Sequence, residues 1–265
     1  MKKTLRRIAP VALVLIGLAT LSFMAKDGVT LRLKPQQGKT YTVTTKANVM
    51  MMMEVQGQTM NQTQNMETRQ TFTPTSVTDS ESVMESQIEG LKMTMSVMGQ
   101  KLEYDSDHPE KTSPMLAGQT KEMDEAIKKK ATCKYDAMGN VVDSLSLDMS
   151  QLGAAIIELP EKEVSVGSTW SFTKNQSVNG MDMKANYTYT VTAISKKSVD
   201  VSISGKVEGS GAGEISGTYT GTASINPQTG LVTTSTMKQN ISMTISQQGL
   251  SIPTTMVGNT TVEVK

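Results

Sequence analysis

The sequence predicts a mainly β protein: two similar, curved, antiparallel, half-barrel-like sheets with a short helical insert. Three observations carry this. Residues 167–193 read as a β-hairpin about Asn179-Gly180, a pair that supplies the positive φ of a tight primed turn. After that turn Met181, Met183, Ala185, Tyr187, Tyr189, Val191 and Ala193 fall on every second residue, with Asp182, Lys184, Asn186, Thr188, Thr190 and Thr192 between them. Side chains alternate across a strand, so one face is apolar and the other wet. The same kind of unit starts at Gly38, and two copies imply two related halves.

Taken in order, Val29, Leu31 and Leu33 alternate with Thr30, Arg32 and Lys34 and predict a short first strand. After a Pro35–Gly38 turn, Tyr41, Val43, Thr45, Ala47, Val49, Met51, Met53 and Val55 share one face of a long strand, and Gly57 turns it back. The return strand is more polar. It carries Met60, Met66 and Phe72 among Gln62, Gln64, Thr68 and Gln70 and ends near Pro74, which predicts a bulge or an edge. Residues 83–89 and 91–97 follow, with Gly90 as a bulge between them. Met98-Gly99-Gln100 is a turn into Leu102–Tyr104.

Residues 105–119 are polar, contain two prolines and read as a loop. Residues 120–130 predict a helix, with Met123 and Ile127 one turn apart and Lys128, Lys129 and Lys130 at the negative end of its dipole. Thr132–Tyr135 returns to strand, and Asp136–Gly139 turns the chain before Val141-Val142. Leu145, Met149, Leu152, Ile156 and Leu159 recur at helical spacing, with Pro160 just past the end. In the second half Val199, Val201, Ile203, Gly205 and Val207 alternate, Gly209–Gly213 reads as a flexible loop, and Ile215, Gly217, Tyr219, Gly221, Ala223 and Ile225 form the next apolar face. Its glycines mark close packing. An Asn226–Gly230 turn and strands over 233–245 and 254–264 complete the chain.

Landmarks recur in the same order in both halves. Gly38-Lys39-Thr40-Tyr41 parallels Gly167-Ser168-Thr169-Trp170, Thr71-Phe72-Thr73 parallels Thr188-Tyr189-Thr190, and the Asp136 turn parallels the Asn226 turn. The organisation expected is a signal peptide or N-terminal anchor over 1–25, a first β repeat over 26–143, a linking helix over 144–160 and a second β repeat over 161–265. The segment Leu159-Pro160-Glu161-Lys162-Glu163-Val164-Ser165-Val166-Gly167-Ser168-Thr169-Trp170, with the earlier Gly-x-Thr-Tyr entry, resembles a family of exported bacterial β-rich proteins of unknown function. The resemblance implies an extracytoplasmic β-rich fold and brings no catalytic residue.

The leader has the secretory form. Lys2, Lys3, Arg6 and Arg7 precede an apolar run over 8–24. Small residues flank a cleavage point after Ala19, while an uncleaved anchor is the rival reading. The localisation expected is exported, periplasmic or secreted. Without those four residues, 22 of the 26 basic side chains face 25 acidic ones, a net of −3. That balance has no electrostatic footprint for nucleic acid, and membrane contact is expected only through an uncleaved leader.

Chemistry has few handles. Cys133 is the single cysteine, which excludes an internal disulfide and a multi-cysteine metal site. His108 is the single histidine, in the loop Asp105-Ser106-Asp107-His108-Pro109-Glu110, whose carboxylates do not have EF-hand spacing. No catalytic residue, metal site or cofactor is expected, and the chain is read as not an enzyme. The unusual feature is 21 methionines against 4% aromatics. Thioethers select Cu(I), but Met alternating with Leu, Val and Tyr on strands is an adaptable apolar filler. A Met-rich concave face suits an apolar or lipid-like ligand, with Met51, Met53, Met93, Met95, Met181, Met183, Tyr187 and Tyr189 as the lining residues. The function expected is a binding or carrier protein of the cell envelope. The alternative is a structural module that meets another envelope protein and holds no small ligand.

Overall fold

The computed structural model describes residues 28–55, 57–144, 155–178, 181–211, 213–247 and 250–265. The expected leader, the expected Asn179-Gly180 turn and residues 145–154 lie outside them. Strand β1 (Tyr41–Val55) and strand β2 (Gln58–Val77) form a long hairpin, and β3 (Glu81–Val97) pairs with the other side of β2. One edge of β3 is shared end to end. Its upper part pairs with β4 (Gln100–Asp105) and its lower part with β5 (Lys130–Asp136), which pairs in turn with β6 (Val141–Ser144). Between β4 and β5 lie two single 3-10 turns and helix α1 (Ala117–Lys128). The rest is a meander: β7 (Thr169–Val178), β8 (Met181–Ile194), β9 (Val199–Gly211), β10 (Gly213–Ile225), β11 (Val232–Gln247) and β12 (Leu250–Val264).

The protein is mainly β, and its two halves share one open antiparallel sheet, because β12 pairs with β1. The order is β6-β5-β3-β2-β1-β12-β11-β10-β9-β8-β7, with β6 and β7 at the edges. The expected two sheets are therefore one, since β12 has an apolar inner row that continues the row on β1. The sequence β6-β5-β3-β2-β1 is followed, beyond β12, by β11-β10-β9-β8-β7, with the same alternation of direction. Tyr41 stands opposite Phe72 across β1–β2, and Trp170 opposite Tyr189 across β7–β8. Both pairs stack, with ring centroids 5.0 and 5.2 Å apart.

The core lies at the end of the sheet where β1, β3, β9 and β11 begin and β2, β5, β8, β10 and β12 finish. One buried cluster joins Tyr41, Val43, Phe72, Met84, Cys133 and Tyr135 to Val191, Val199, Val201, Ile225, Val232 and Val262. In a flat sheet β5 and β9 would be seven strand spacings, about 33 Å, apart. A shared core therefore requires the sheet to curl, as long twisted strands do. Two non-sheet segments fill the curl. Leu31 and Leu33 come from the N-terminal stretch, and Ala155, Ile156 and Leu159 precede β7. The turns at Asp136 and Asn226 clasp both segments: the Leu33 and Leu159 amides donate to the Ala137 and Met138 carbonyls, the Lys34 amide donates to Thr229, and the Val232 amide donates to Ala155. Gly139 permits the approach, since a Cβ there would be 2.7 Å from the Ile157 carbonyl.

Four expectations change. The stretch 29–33 is buried in alternation but is not a strand; apart from the Val29–Val164 bridge it is the plug just described. The described end of the expected linking helix, 155–160, is a turn and irregular backbone, because its apolar side chains fill the base, its Leu159 amide donates to Met138 and its Ala155 carbonyl accepts from Val232. Gly209–Gly211 and Gly213 belong to strands, held by the ladders on both sides. The expected 120–130 helix starts earlier, at Ala117. Other signals translate directly. The ladder shifts register opposite Gly90 and at Pro74, and Met98 and Gly99 take φ of 50° and 80° in a two-residue turn. Pro253 lies beyond Thr254, the end of the pairing with β1, so β12 has a neighbour on one side only there.

Candidate functional site

The strand registers place the apolar residues of both halves on one face, the inner face that also carries the base core. One cross-strand row runs Phe172, Tyr187, Gly205, Tyr219, Gln239, Gly258, Val49, Gln64, Met95, Leu102. Two residues further from the base, Ala185, Val207, Gly217, Ile241, Met256 and Met51 follow one another, and in the next row Met183, Gly209, Ile215, Met243, Thr254 and Met53. Nearer the base, Tyr189, Ile203, Gly221, Met237 and Thr260 lead to Ala47, Met66, Met93 and Tyr104.

The inner face divides into three apolar groups. The aromatic residues form a ladder beside the edge strand β7: Phe172 stacks on Tyr187 at 5.0 Å and on Tyr189 at 5.7 Å, and Tyr187 meets Tyr219 at 5.3 Å, tilted by 36°. Above it, Val207, Ile215 and Ile241 are buried among half-buried Met183, Ala185, Tyr219, Met243 and Met256. Across the sheet, α1 covers the inner face of β3 and β4, where Met93, Tyr104 and Leu116 are buried against Met95, Met123 and Ile127. The Tyr104 hydroxyl donates to Asp124 at 2.8 Å and fixes the helix there.

Glycines shape the central part of this face. A Cβ on Gly205 would lie 2.9 Å from the Tyr187 ring, and one on Gly217 would lie 2.6 Å from the Asn240 carbonyl. Large side chains thus lean over glycines of the neighbouring strand. Burial pushes the Tyr187, Tyr189 and Tyr219 hydroxyls up in pKa, with the Glu158 charge adding to the effect on Tyr187 and Tyr189. Glu158 precedes the edge strand, its carbonyl accepting the Trp170 indole N–H at 2.9 Å. Burial also raises the Glu158 carboxyl, against the opposing pull of its own amide and of Lys174.

The structure thus places Met51, Met53, Met93, Met95, Met183, Tyr187 and Tyr189 on one face but not in one pocket. Met93 and Met95 lie under α1, Tyr187 and Tyr189 in the aromatic ladder, and Met183, Met51 and Met53 in the rows farther from the base. Met181 pairs with Gly211, one step beyond Met183. Sequence reasoning missed Met243, Met256, Ile241 and Tyr219 as their companions. Their alternation was visible, but their register with β1 was not.

The remaining reactive side chains are held structurally. Cys133 is fully buried, its thiol raised by burial, and its Sγ is 3.5 Å from the Asp143 carbonyl. Arg69 grips Asp107 through two hydrogen bonds of 2.9 and 3.1 Å, and Lys92 lies 3.4 Å from Asp105, so both loop carboxylates face cations. The Arg69 hydrogen bond holds the Asp107 carboxyl below its usual range. His108 is exposed, 3.5 Å from Glu110. Among the described residues no three His, Cys, Asp or Glu side chains converge as metal ligands. No helix among them is long and apolar enough to cross a membrane.

A family model described as a family of unknown function (DUF6263) matches residues 149–232, which contain the Leu159–Trp170 segment and β7 to β10. No curated protein matches the sequence. Solved structures with a similar course of chain include lipovitellin, from a study of lipid–protein interactions, at 8% identity and a TM-score of 0.40, covering 87% of this chain and 25% of that one. The chain thus spans about a quarter of lipovitellin. DynF of the dynemicin biosynthesis pathway of Micromonospora chersina gives 7% identity and a TM-score of 0.24, over 89% of this chain and 85% of DynF. An outer membrane channel of Pseudomonas putida F1 gives 9% and 0.23, over 88% of this chain and 98% of the channel.

Proposed function

We propose that this is a non-enzymatic, exported protein of the bacterial cell envelope that holds an apolar, lipid-like molecule against the inner face of its sheet. One observation carries the reading. Away from the closed base, the inner face stays apolar yet only partly buried, at Met51, Met53, Met183, Tyr219, Met243 and Met256. Apolar surface left in water costs about 25 cal/mol per Å² relative to covered surface, so an apolar ligand laid there is stabilised by each contact. Methionine's flexible, polarizable side chain adapts to ligands of different shape. The glycines opposite Tyr187 and Ile215 let these side chains lie close against the neighbouring strand. The recurrence of strand order and of the two stacked aromatic pairs supports a duplicated unit as the origin of the sheet. The basic, then apolar, leader supports export.

The test is native mass spectrometry of the full chain purified from its host envelope, with displacement of a fluorescent apolar probe. Expected are co-purified lipid and saturable probe binding that weakens at least tenfold when Met183 and Met256 are both changed to Gln. Protein that is lipid-free and does not bind the probe would reject the reading. The open edge strand β7, paired among the described residues with β8 alone, favours the second reading, a module that adds a partner's strand. That reading predicts a partner whose capture is lost on Thr173→Pro, with no lipid bound.

A further inference from the structure

The outer face carries a groove of about 630 Å³ that crosses β2, β1, β12, β11 and β10. Two adjacent cross-strand rows build it. In the first, Asn65, Asn48, Asn259 and Lys238 stand abreast, followed by Thr220. In the second, Met50 and Val257 stand directly opposite each other, flanked by Thr63 and Asn240. Met50 and Val257 are 48% and 45% exposed on a face whose other residues are mostly polar. Among the described residues the side chains of Asn48, Asn65, Asn259, Asn240 and Lys238 make no hydrogen bond to protein, although the Thr222–Thr236 and Ser171–Thr188 hydroxyls on the same face pair at 3.1 and 2.9 Å. Asparagine is depleted in strands, where threonine serves a wet face better. Three asparagines side by side at the centre of the sheet therefore work against the local fold.

We infer that this groove binds a β-linked oligosaccharide laid across the strands. Each amide offers both donor and acceptor groups, as a chain of hydroxyl and acetamido groups demands. Neighbouring strands are about 4.7–4.9 Å apart, close to the advance of one pyranose along a β-1,4 chain, so each strand meets one sugar. The Met50–Val257 strip offers an apolar surface to the C–H faces of the rings, and Lys238, the one charged side chain lining the groove, tolerates a carboxylate substituent. An α-linked chain coils and loses this register.

Chitopentaose, cellopentaose and maltopentaose are titrated into the full chain and followed by calorimetry and amide chemical shifts. The β-linked probes are expected to bind saturably, with shifts centred on β1 and β12, and maltopentaose at least tenfold more weakly. Asn48→Ala with Asn259→Ala weakens the β-linked probes at least tenfold. Met50→Thr, which keeps strand propensity, weakens them without changing Tm. Absence of binding by both β-linked probes, equal binding of maltopentaose, or binding that survives both variants would overturn the proposal. Lipid binding on the opposite face is read separately by the apolar probe and is untouched by these substitutions.

Discussion

Glu158 couples the edge of the sheet to its aromatic ladder. Its carboxyl is raised by burial beside Tyr187 and Tyr189. A carboxyl whose folded pKa lies above its unfolded value binds its proton more tightly in the folded state. The stability this provides is complete below the unfolded value, about 4.3, and is lost as pH rises through the folded one. Glu158→Gln is therefore expected to raise Tm at pH 7 and to leave it nearly unchanged at pH 4, measured by thermal unfolding at both. A Tm lowered at pH 7 would show that the charge is stabilised in place. The sequence marked Trp170 and Tyr189 as landmarks but gave no sign that Glu158 would lie near them, since irregular backbone brings it there.

At the scale of elements, period-two alternation was legible nearly everywhere, because one buried face leaves a strict imprint on a strand. The bulge at Gly90 and the break at Pro74 were legible for the same reason: each residue is a poor member of a regular ladder. Helix α1 was found by Met123 and Ile127, which pack against the buried cluster of Met93, Tyr104 and Leu116. The roles of the glycines were half legible. Gly217 reads as a weak strand residue, but only the Asn240 carbonyl and Ile241 on the neighbouring strand explain it. Gly217→Ala is expected to cost about 1–3 kcal/mol through crowding. Gly118→Ala, in α1 with no atom within 4 Å of the added Cβ, is expected to stabilise by about 0.5–1 kcal/mol. Urea unfolding of the two variants checks both signs.

For the whole molecule, the plug decides whether the sheet holds its curl. Leu31 and Leu33 are 0% and 2% exposed and share one buried cluster with residues from both ends of the sheet. Leu31→Ala and Leu33→Ala are each expected to cost about 2–5 kcal/mol by leaving a cavity, and hydrogen exchange should then rise at the base of β3, β5, β8 and β9 together. Exchange confined to the N-terminal segment would mean that the sheet curls without its plug. The segment was misread as a strand because alternating burial has one signature whether the backbone pairs in a ladder or threads a core.

By itself the sequence determined the β class, the strand faces, most turns, the helix and the apolar character of the inner surface, since all of these follow from local periodicity and backbone preference. Tertiary structure alone decided that β12 joins the halves into one sheet, that two irregular segments close its base, and that Asn48, Asn65 and Asn259 stand abreast. These depend on register between strands far apart in the chain, and a side chain carries no record of the distant neighbour that pairing will give it.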